Sequence, residues 1–361
     1  MEIKEPFKSQ LEQGQIENAR KTAIKLAENI IAHDGRYLAE ESWGPEGNLY
    51  LSESAYALNR AYEIYGDPIY LEAVRVMLDK LKEIQKPSGG WTLEIGIGGN
   101  GRGFVIDEEL TRITMEQEDL PPTVAALKTI ADYTRLSGDD SYVEMGHKAF
   151  DWLMKYYDED YGSFKEDEDN EILKYRSNPR SYHLFSLLGV HAWKTHNPEV
   201  CNRIFPRIVE FVKETFESYD PETMPLVYGL HCALLVQFCD EDYIWNTLKP
   251  KMDAEVVFNK RFKINERPGG YGHHDGLRGI VTDEAHTRSG AGIIIGMKFF
   301  DLYTGTNTYR QTQEYKDLSN WIDSMRANDL YYEYETIPAG EKIGHGSPGQ
   351  YLPIWWIFGG F

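Results

Sequence analysis

The stretch YLSESAYALNRAYEIYGDPIYLEAVRVMLDKLKEIQKPSGGW, residues 50–91, contains the pattern that decides the fold. Apolar residues recur at helical spacing on both sides of a short GDP turn, which predicts two antiparallel helices. A Gly-Gly-Trp sequence then follows the second helix, and glycine is a common residue just beyond a helix end. The stretch therefore predicts one helical hairpin that ends in a Gly-aromatic stop.

The same pattern recurs along the rest of the chain, and such self-similarity is typical of repeat architectures. The further copies lie at residues 121–164, 180–216, 224–252 and 283–322. With a first helix near Ala19 to Ala32 and a last one near Gly349 to Phe358, this gives about twelve helices. We find no competing run of strand period and no linker. The sequence therefore predicts a single all-α domain, residues 1–361, in which six hairpins close into an (α/α)6 toroid.

The loops between the predicted helices form two sets of different length. One set is short, as at residues 65–70 and 137–142, whereas the other includes residues 89–119, 161–180 and 269–283. Long loops on a rigid scaffold commonly carry function. They lead into the apolar helices that we expect to form the inner ring, and the free amides at helix N-termini favour anionic groups.

Composition excludes several classes of partner. The formal net charge is −20, from 58 acidic and 38 basic residues, which argues against binding to nucleic acid or to an anionic membrane. The three cysteines, Cys201, Cys232 and Cys239, have no metal-binding or disulfide spacing. The N-terminus has no apolar signal region, so we expect a cytoplasmic protein. The aromatic share of 13% suits sugar rings or hydrocarbon in a large cavity.

The hairpin with its Gly-aromatic stop, as in GDPIYLEAVRVMLDKLKEIQKPSGGW, resembles the α/α-toroid carbohydrate-active enzymes, including family 10 pectate lyases and unsaturated-uronyl hydrolases. The likeness covers most of the chain at the level of the repeat, without a match to a catalytic motif. It implies a toroid that acts on a uronate-containing or otherwise anionic oligosaccharide. The stop in DEDYGSF, from Asp158, is also similar to the repeats of squalene-cyclase-like and prenyltransferase proteins.

Histidines concentrate near the predicted starts of inner helices or in the loops that lead to them. They are His183, His231, His273, His274, His286 and His345. Histidine titrates near neutral pH and is the commonest general acid or base. We therefore interpret the group as functional, although any single member can instead be a capping or packing residue.

The segment YRSNPRSYH, residues 175–183, contains every part of a site that removes a proton next to a uronate carboxylate. Tyr182 and His183 are candidate bases, and Arg176, Asn178 and Arg180 are candidate partners of the carboxylate. The alternative is a helix cap, with Asn178 followed by proline at the first helical position. In the next inner helix Tyr228 and His231 lie one turn apart, and we expect them to join Tyr182 and His183 in one catalytic cluster.

The segment GGYGHHDGLRGIVTDEAHTRSG, residues 269–290, is the densest polar stretch. We predict an acid and base pair drawn from Asp283, Glu284 and His286. Substrate contacts are expected from His273, His274, Arg288 and His345, and stacking on sugar rings from Trp91 and Tyr271. Several His and carboxylate side chains also make a divalent cation possible, although their spacing matches no standard motif. The alternative is a cap, with Thr282 followed by acidic residues in the first helical turn.

Four functions stay open at this stage. A lyase acting by β-elimination is favoured, because the arginines give a local cationic pocket in an acidic protein. A glycoside hydrolase needs two carboxylates across the scissile bond, and the candidates are Glu53, Asp107, Glu108, Glu116 and Asp119. A terpenoid cyclase needs an acidic cluster, for which the DEDY sequences at Asp158 and Asp240 are the nearest match. A toroid that only binds a peptide or glycan is the fourth.

Overall fold

The computed structural model describes residues 13–38, 47–94, 108–175, 182–219, 223–258, 261–275 and 279–360. The chain separates into two compact units. One unit comprises Ala23–Phe211, and the other comprises Val212–Gly360 with the chain up to Thr22. The organisation as one domain stays a prediction.

Helices occur where the hairpin repeats predict them. In chain order they are α1 (Gln13–Ala32), α2 (Asn48–Tyr65), α3 (Pro68–Ile84), α4 (Glu108–Glu116), α5 (Leu120–Ser137), α6 (Val143–Met154), α7 (Leu184–Trp193), α8 (Pro198–Glu217), α9 (Pro225–Phe238), α10 (Glu241–Tyr243), α11 (Lys249–Phe258), α12 (Thr287–Thr304), α13 (Gln313–Ser324) and α14 (Ser347–Phe358). A 3-10 helix, Glu171–Tyr175, and a π-helical turn, Ile244–Leu248, complete the helical elements. Helix α4 lies within residues 89–119, which we predicted to be loop throughout.

The GDP turn, residues 66–68, explains why the repeat forms a helical hairpin. Gly66 has φ 66°, in the left-handed region that favours glycine, and its amide donates to the Tyr62 carbonyl to end α2. The Asp67 side chain then accepts from the amide of Ile69, and Pro68 takes the first position of α3, where a missing N–H costs nothing. The three residues therefore stop one helix and start the next.

Each unit is built around helices that are buried on nearly all sides. In the first unit α5 packs against α2 and α7, and in the second α12 packs against α9 and α14. The contact of α9 with α12 is close because both carry glycine. A Cβ added at Gly229 would lie 1.9 Å from the carbonyl oxygen of Gly292. Helices α3 and α13, by contrast, each bury only one face.

The sequence shows no run of strand period, and the structure adds eleven short strands in the described loops. They are β1 (Trp91–Thr92), β2 (Glu118–Asp119), β3 (Tyr157–Asp158), β4 (Ser163–Phe164), β5 (His273–Asp275), β6 (Gly279–Val281), β7 (Glu284–His286), β8 (Arg326–Ala327), β9 (Leu330–Tyr331), β10 (Tyr334–Thr336) and β11 (Lys342–Ile343). With two or three residues each, they are too short to show alternating hydrophobicity. Four antiparallel pairs form, β1–β2, β3–β4, β5–β6 and β8–β9, and one three-stranded sheet of order β11-β10-β7.

Cys201, Cys232 and Cys239 are buried free thiols. Within the part of the chain that the structure describes, no helix is both long enough and apolar enough to span a bilayer.

Candidate functional site

The sheet β11-β10-β7 places polar side chains at the start of α12. Tyr334 of β10 pairs with His286 of β7 on one side and with Ile343 of β11 on the other. The amide of Thr287 donates to the Glu333 carbonyl at 2.9 Å, so the first residue of α12 continues this pairing. The capping prediction for Thr282 is therefore wrong, because residues 284–286 are held by a distant strand and the helix begins at Thr287.

His286 lies at the centre of a buried polar cluster. Its Nε2 is 3.1 Å from Oε2 of Glu284, and because a carboxylate accepts, the imidazole nitrogen donates in this pair. The ring of His273 approaches the ring of His286 to 3.8 Å between centroids, and Tyr334 stacks on it at 5.0 Å. His273 and His286 are 3% and 4% exposed, so the cluster lies in a low dielectric where hydrogen bonds and charges act strongly.

His345 is held in one tautomer by the backbone. Its Nδ1 is 3.1 Å from the carbonyl oxygen of Tyr331, which can only accept, so Nδ1 carries a proton and the neutral ring has its lone pair on Nε2. The ring packs on Tyr332 at 4.5 Å between centroids. Gln350 fixes the backbone of Tyr331, accepting from its amide at 2.8 Å and donating to its carbonyl at 2.7 Å. The imidazole is half-buried, and its orientation is fixed by the backbone.

Arg288, the second residue of α12, is 8% exposed. Its Nε is buried and has no hydrogen-bond partner among the residues that the structure describes. A buried guanidinium normally pairs with a carboxylate, a phosphate or a carbonyl, because desolvating a charge is costly. The position is therefore suited to an anionic or oxygen-bearing ligand.

The predicted pair Tyr228 and His231 is buried in the second unit, and Tyr219 lies against both. The Tyr219 hydroxyl donates to Nε2 of His231 at 2.9 Å, and Nδ1 of His231 donates to the Val227 carbonyl at 2.8 Å. His231 is fully buried, and this burial lowers its pKa to about 4. Both ring nitrogens are used inside the protein, so the geometry is that of a core histidine.

Tyr182 and His183 lie in the other unit. Nδ1 of His183 is 2.9 Å from the Ser163 hydroxyl, and its ring packs on Phe211 at 4.7 Å. His183 is the N-cap residue of α7 and is 5% exposed, whereas Tyr182 is among the exposed aromatic residues. The predicted partners Arg176, Asn178 and Arg180 lie outside the described residues.

Trp91 and Tyr271 are core residues, and neither presents a ring face at a surface. Both are fully buried. The indole of Trp91 donates to the Leu81 carbonyl at 2.8 Å, which closes its hairpin. The Tyr271 hydroxyl donates to Glu314, and burial, the largest cause, together with that carboxylate raises its pKa well above the ordinary value. Full burial does not fit the predicted stacking of Trp91 and Tyr271 on sugar rings, and both side chains have a structural role.

The remaining candidates are spread over several environments. Asp283 is exposed and His274 is half-buried, so neither joins the buried part of the cluster. Asp119 is buried and Glu116 is exposed in an ion pair with Arg112. Asp107 lies outside the described residues.

The two DEDY sequences have local structural roles. Asp158 Oδ1 accepts from the amides of Asp160 and Tyr161, both at 2.9 Å. Asp240 Oδ1 accepts from the amide of Tyr243 at 2.8 Å and caps α10. Each carboxylate is therefore occupied by the backbone that follows it, which does not favour a role as the protonating acid of a cyclase.

The segment that contacts both His286 and His345 was not predicted from the sequence. Tyr331, Tyr332 and Tyr334 supply the carbonyl and the two rings that hold His345 and His286. The run YYEYE within 331–335 is an aromatic and acidic stretch between two predicted helices, and this was the only available signal.

Comparison with known proteins identifies the fold. No protein-family model and no curated protein sequence matches the chain. Among solved structures it is similar to a D-mannose isomerase, with 10% identity, a TM-score of 0.67 and coverage of 96% of this chain and 97% of that one. A cellobiose 2-epimerase from Spirochaeta thermophila gives 12% identity, a TM-score of 0.66 and coverage of 97% and 98%. The GH76 α-mannanase BT2949 of Bacteroides thetaiotaomicron gives 9% identity, a TM-score of 0.56 and coverage of 94% and 95%.

These similarities extend over nearly the whole length of each protein. The chain therefore has the all-α fold of the (α/α)6-toroid enzymes, as the hairpin repeats predicted. At such low identity the likeness defines the fold and leaves the reaction to be argued from the site.

Proposed function

We propose that this protein is a carbohydrate-active enzyme that moves a proton at the carbon next to a carbonyl group of a sugar, as an isomerase or an epimerase. The observation that carries the proposal is the fixed orientation of the His345 ring, whose Nδ1 donates to the Tyr331 carbonyl. In the neutral ring the lone pair is then on Nε2, and we assign this nitrogen as the base. The similarity to a D-mannose isomerase and to a cellobiose 2-epimerase supports a sugar substrate.

The chemistry needs one base and a group that stabilises charge on oxygen. Nε2 of His345 takes the proton from the carbon next to the carbonyl of the open-chain sugar. The electron pair of the broken C–H bond then moves to the carbonyl oxygen and gives an enediolate. Return of the proton to the former carbonyl carbon, with transfer of the neighbouring hydroxyl proton to the former carbonyl oxygen, completes an isomerisation. Delivery of a proton to the opposite face of the same carbon completes an epimerisation, which needs a second proton donor on that face.

Groups at the start of α12 are suited to stabilise the enediolate oxygen. Arg288 brings a buried guanidinium, and the first amides of α12 add the positive end of the helix dipole. In a low-dielectric site such preorganised groups contribute more than they would in water.

Arg288 also favours a second candidate, the lyase predicted from sequence. A uronate carboxylate would pair with the guanidinium, and the same base would remove the proton next to it. The carbon–oxygen bond at the β position then breaks, its electron pair leaves with the oxygen, and a conjugated C=C bond remains. The two candidates share the base and differ in whether a leaving group departs.

One experiment separates these reactions. The purified protein is incubated in D2O with mannose, cellobiose and uronate-containing oligosaccharides and followed by proton NMR. Isomerisation or epimerisation gives new sugar signals, β-elimination gives vinyl proton signals, and hydrolysis gives new reducing ends.

The variant His345→Ala should lose about 100-fold or more of the rate with its fold intact by circular dichroism. A matched control is His33→Ala, because Nδ1 of His33 also bonds a backbone carbonyl, that of Asn29 at 2.8 Å, but at an exposed position just after the end of α1. Full activity in His345→Ala, or hydrolysis alone, would refute the proposal.

A further inference from the structure

Three side chains on the strands that precede α12 come together as a set of metal donors. One ligand atom from each of His273, Glu284 and His286 lies within 4.8 Å of the other two. Nε2 of His286 and Oε2 of Glu284 are already 3.1 Å apart. Donors bound to one ion at about 2.1 Å are about 3 to 3.5 Å from each other, so small side-chain rotations bring all three to bonding distance.

Main-chain hydrogen bonds fix the positions of the strands that carry these donors. His273 pairs with Val281 in the β5–β6 hairpin, and the amide of His286 donates to the Tyr271 carbonyl at 2.8 Å. Gly272 allows the hairpin to close, because a Cβ there would lie 1.9 Å from the Val281 carbonyl oxygen. The ligands therefore come from two strands fixed by main-chain hydrogen bonds.

We infer that His273, Glu284 and His286 form a binding site for a divalent first-row transition metal ion, of which zinc is the natural probe. Two imidazoles and one carboxylate form a mixed nitrogen and oxygen set that suits such ions rather than calcium or magnesium. Three protein ligands leave at least one coordination position for water or a substrate oxygen, as in catalytic rather than structural zinc sites.

Burial and charge support the same site. The two histidines are nearly fully buried, whereas the Glu284 side chain keeps 13% of its exposure, so access is from the carboxylate side. Neutral imidazoles with one carboxylate give the set a charge that a divalent cation complements. Tyr334, stacked on His286, fixes the plane of one ligand ring.

The test is metal binding by the full chain, with no sugar present. Metal-free protein is titrated with Zn²⁺ in competition with a chromophoric chelator, and Co²⁺ is then added to read the coordination from its visible d–d bands. We expect a single tight site whose affinity falls as pH is lowered, because protons compete for the imidazoles. His273→Ala, His286→Ala and the isosteric Glu284→Gln should each weaken binding about 100-fold or more.

His274→Ala is the matched control, because His274 neighbours His273 on β5 and its side chain points to the opposite face of the hairpin. It should bind Zn²⁺ like the unmodified protein. The site does not exist if no saturable binding is seen, if all three ligand variants bind normally, or if His274→Ala loses as much affinity as they do. Because the titration needs no substrate, its result is independent of the proton transfer proposed for His345.

Discussion

His231 makes the stability of the protein sensitive to acid. It is fully buried on α9, burial lowers its pKa from 6.5 to about 4, and its neutral ring is held by Val227 and Tyr219. In the unfolded chain the ring takes up a proton near pH 6.5, whereas the folded protein resists protonation until about pH 4. Lowering the pH through this window therefore favours the unfolded state.

The size of the effect follows from the two pKa values. Integrating the difference in bound protons between pH 7 and pH 4.5 gives a loss of about 2 to 3 kcal/mol in the free energy of unfolding from this one residue. The variant His231→Leu cannot take up the proton, so its stability should fall with acid by that much less. Urea unfolding followed by tryptophan fluorescence, repeated at several pH values, measures both curves.

Leu235→Ala provides the control, since Leu235 is fully buried one turn further along α9. It should lose about 2 to 5 kcal/mol at every pH, because a cavity does not titrate. The reasoning fails if His231→Leu and the unmodified protein lose stability in parallel as the pH falls.

Two further predictions concern packing. Lys298→Met should lower the free energy of unfolding by about 2 kcal/mol or more and lower the melting temperature, because the buried ammonium of Lys298 donates to the carbonyls of Trp356 and Ile357 at the end of α14. The control Lys316→Met, at an exposed position, should change the melting temperature little. Equal effects of the two substitutions would contradict this. Gly229→Ala should lower the free energy of unfolding by about 3 kcal/mol or more, because the added methyl group forces α9 away from Gly292. The control Gly14→Ala has open space around the new methyl group and should be neutral or stabilising. An unchanged melting temperature for Gly229→Ala would contradict the close helix contact.

The helices could be predicted from sequence because their signals are local. Gly66, Asp67 and Pro68 end one helix and begin the next within three residues, and similar turns recur along the chain. Apolar spacing then identifies the buried helices. The short strands have no such signal, because each is defined by a partner that is distant in sequence, as Tyr334 is for His286.

The sequence names residues of the candidate site but does not predict their geometry. His286, Glu284, Arg288 and His345 were all named from their positions before inner helices. The role that we propose for His345 depends on the Tyr331 carbonyl, and the position of His273 beside His286 depends on how the β5–β6 hairpin lies against β7. Neither contact can be derived from spacing along the chain.

The secondary structure of residues 284–286 decides which chemistry Glu284 can take part in. In the first turn of a helix, residues two apart do not face each other, so Glu284 would be a cap and His286 would point elsewhere. On a strand, residues two apart lie on the same face, which is why the carboxylate and imidazole meet at 3.1 Å. The hydrogen bonds from β10 therefore hold Glu284 and His286 on a strand, where the two side chains form a pair that faces His273. A substitution that breaks the pairing of Tyr334 with His286 should separate the donor set while each ligand residue is still present.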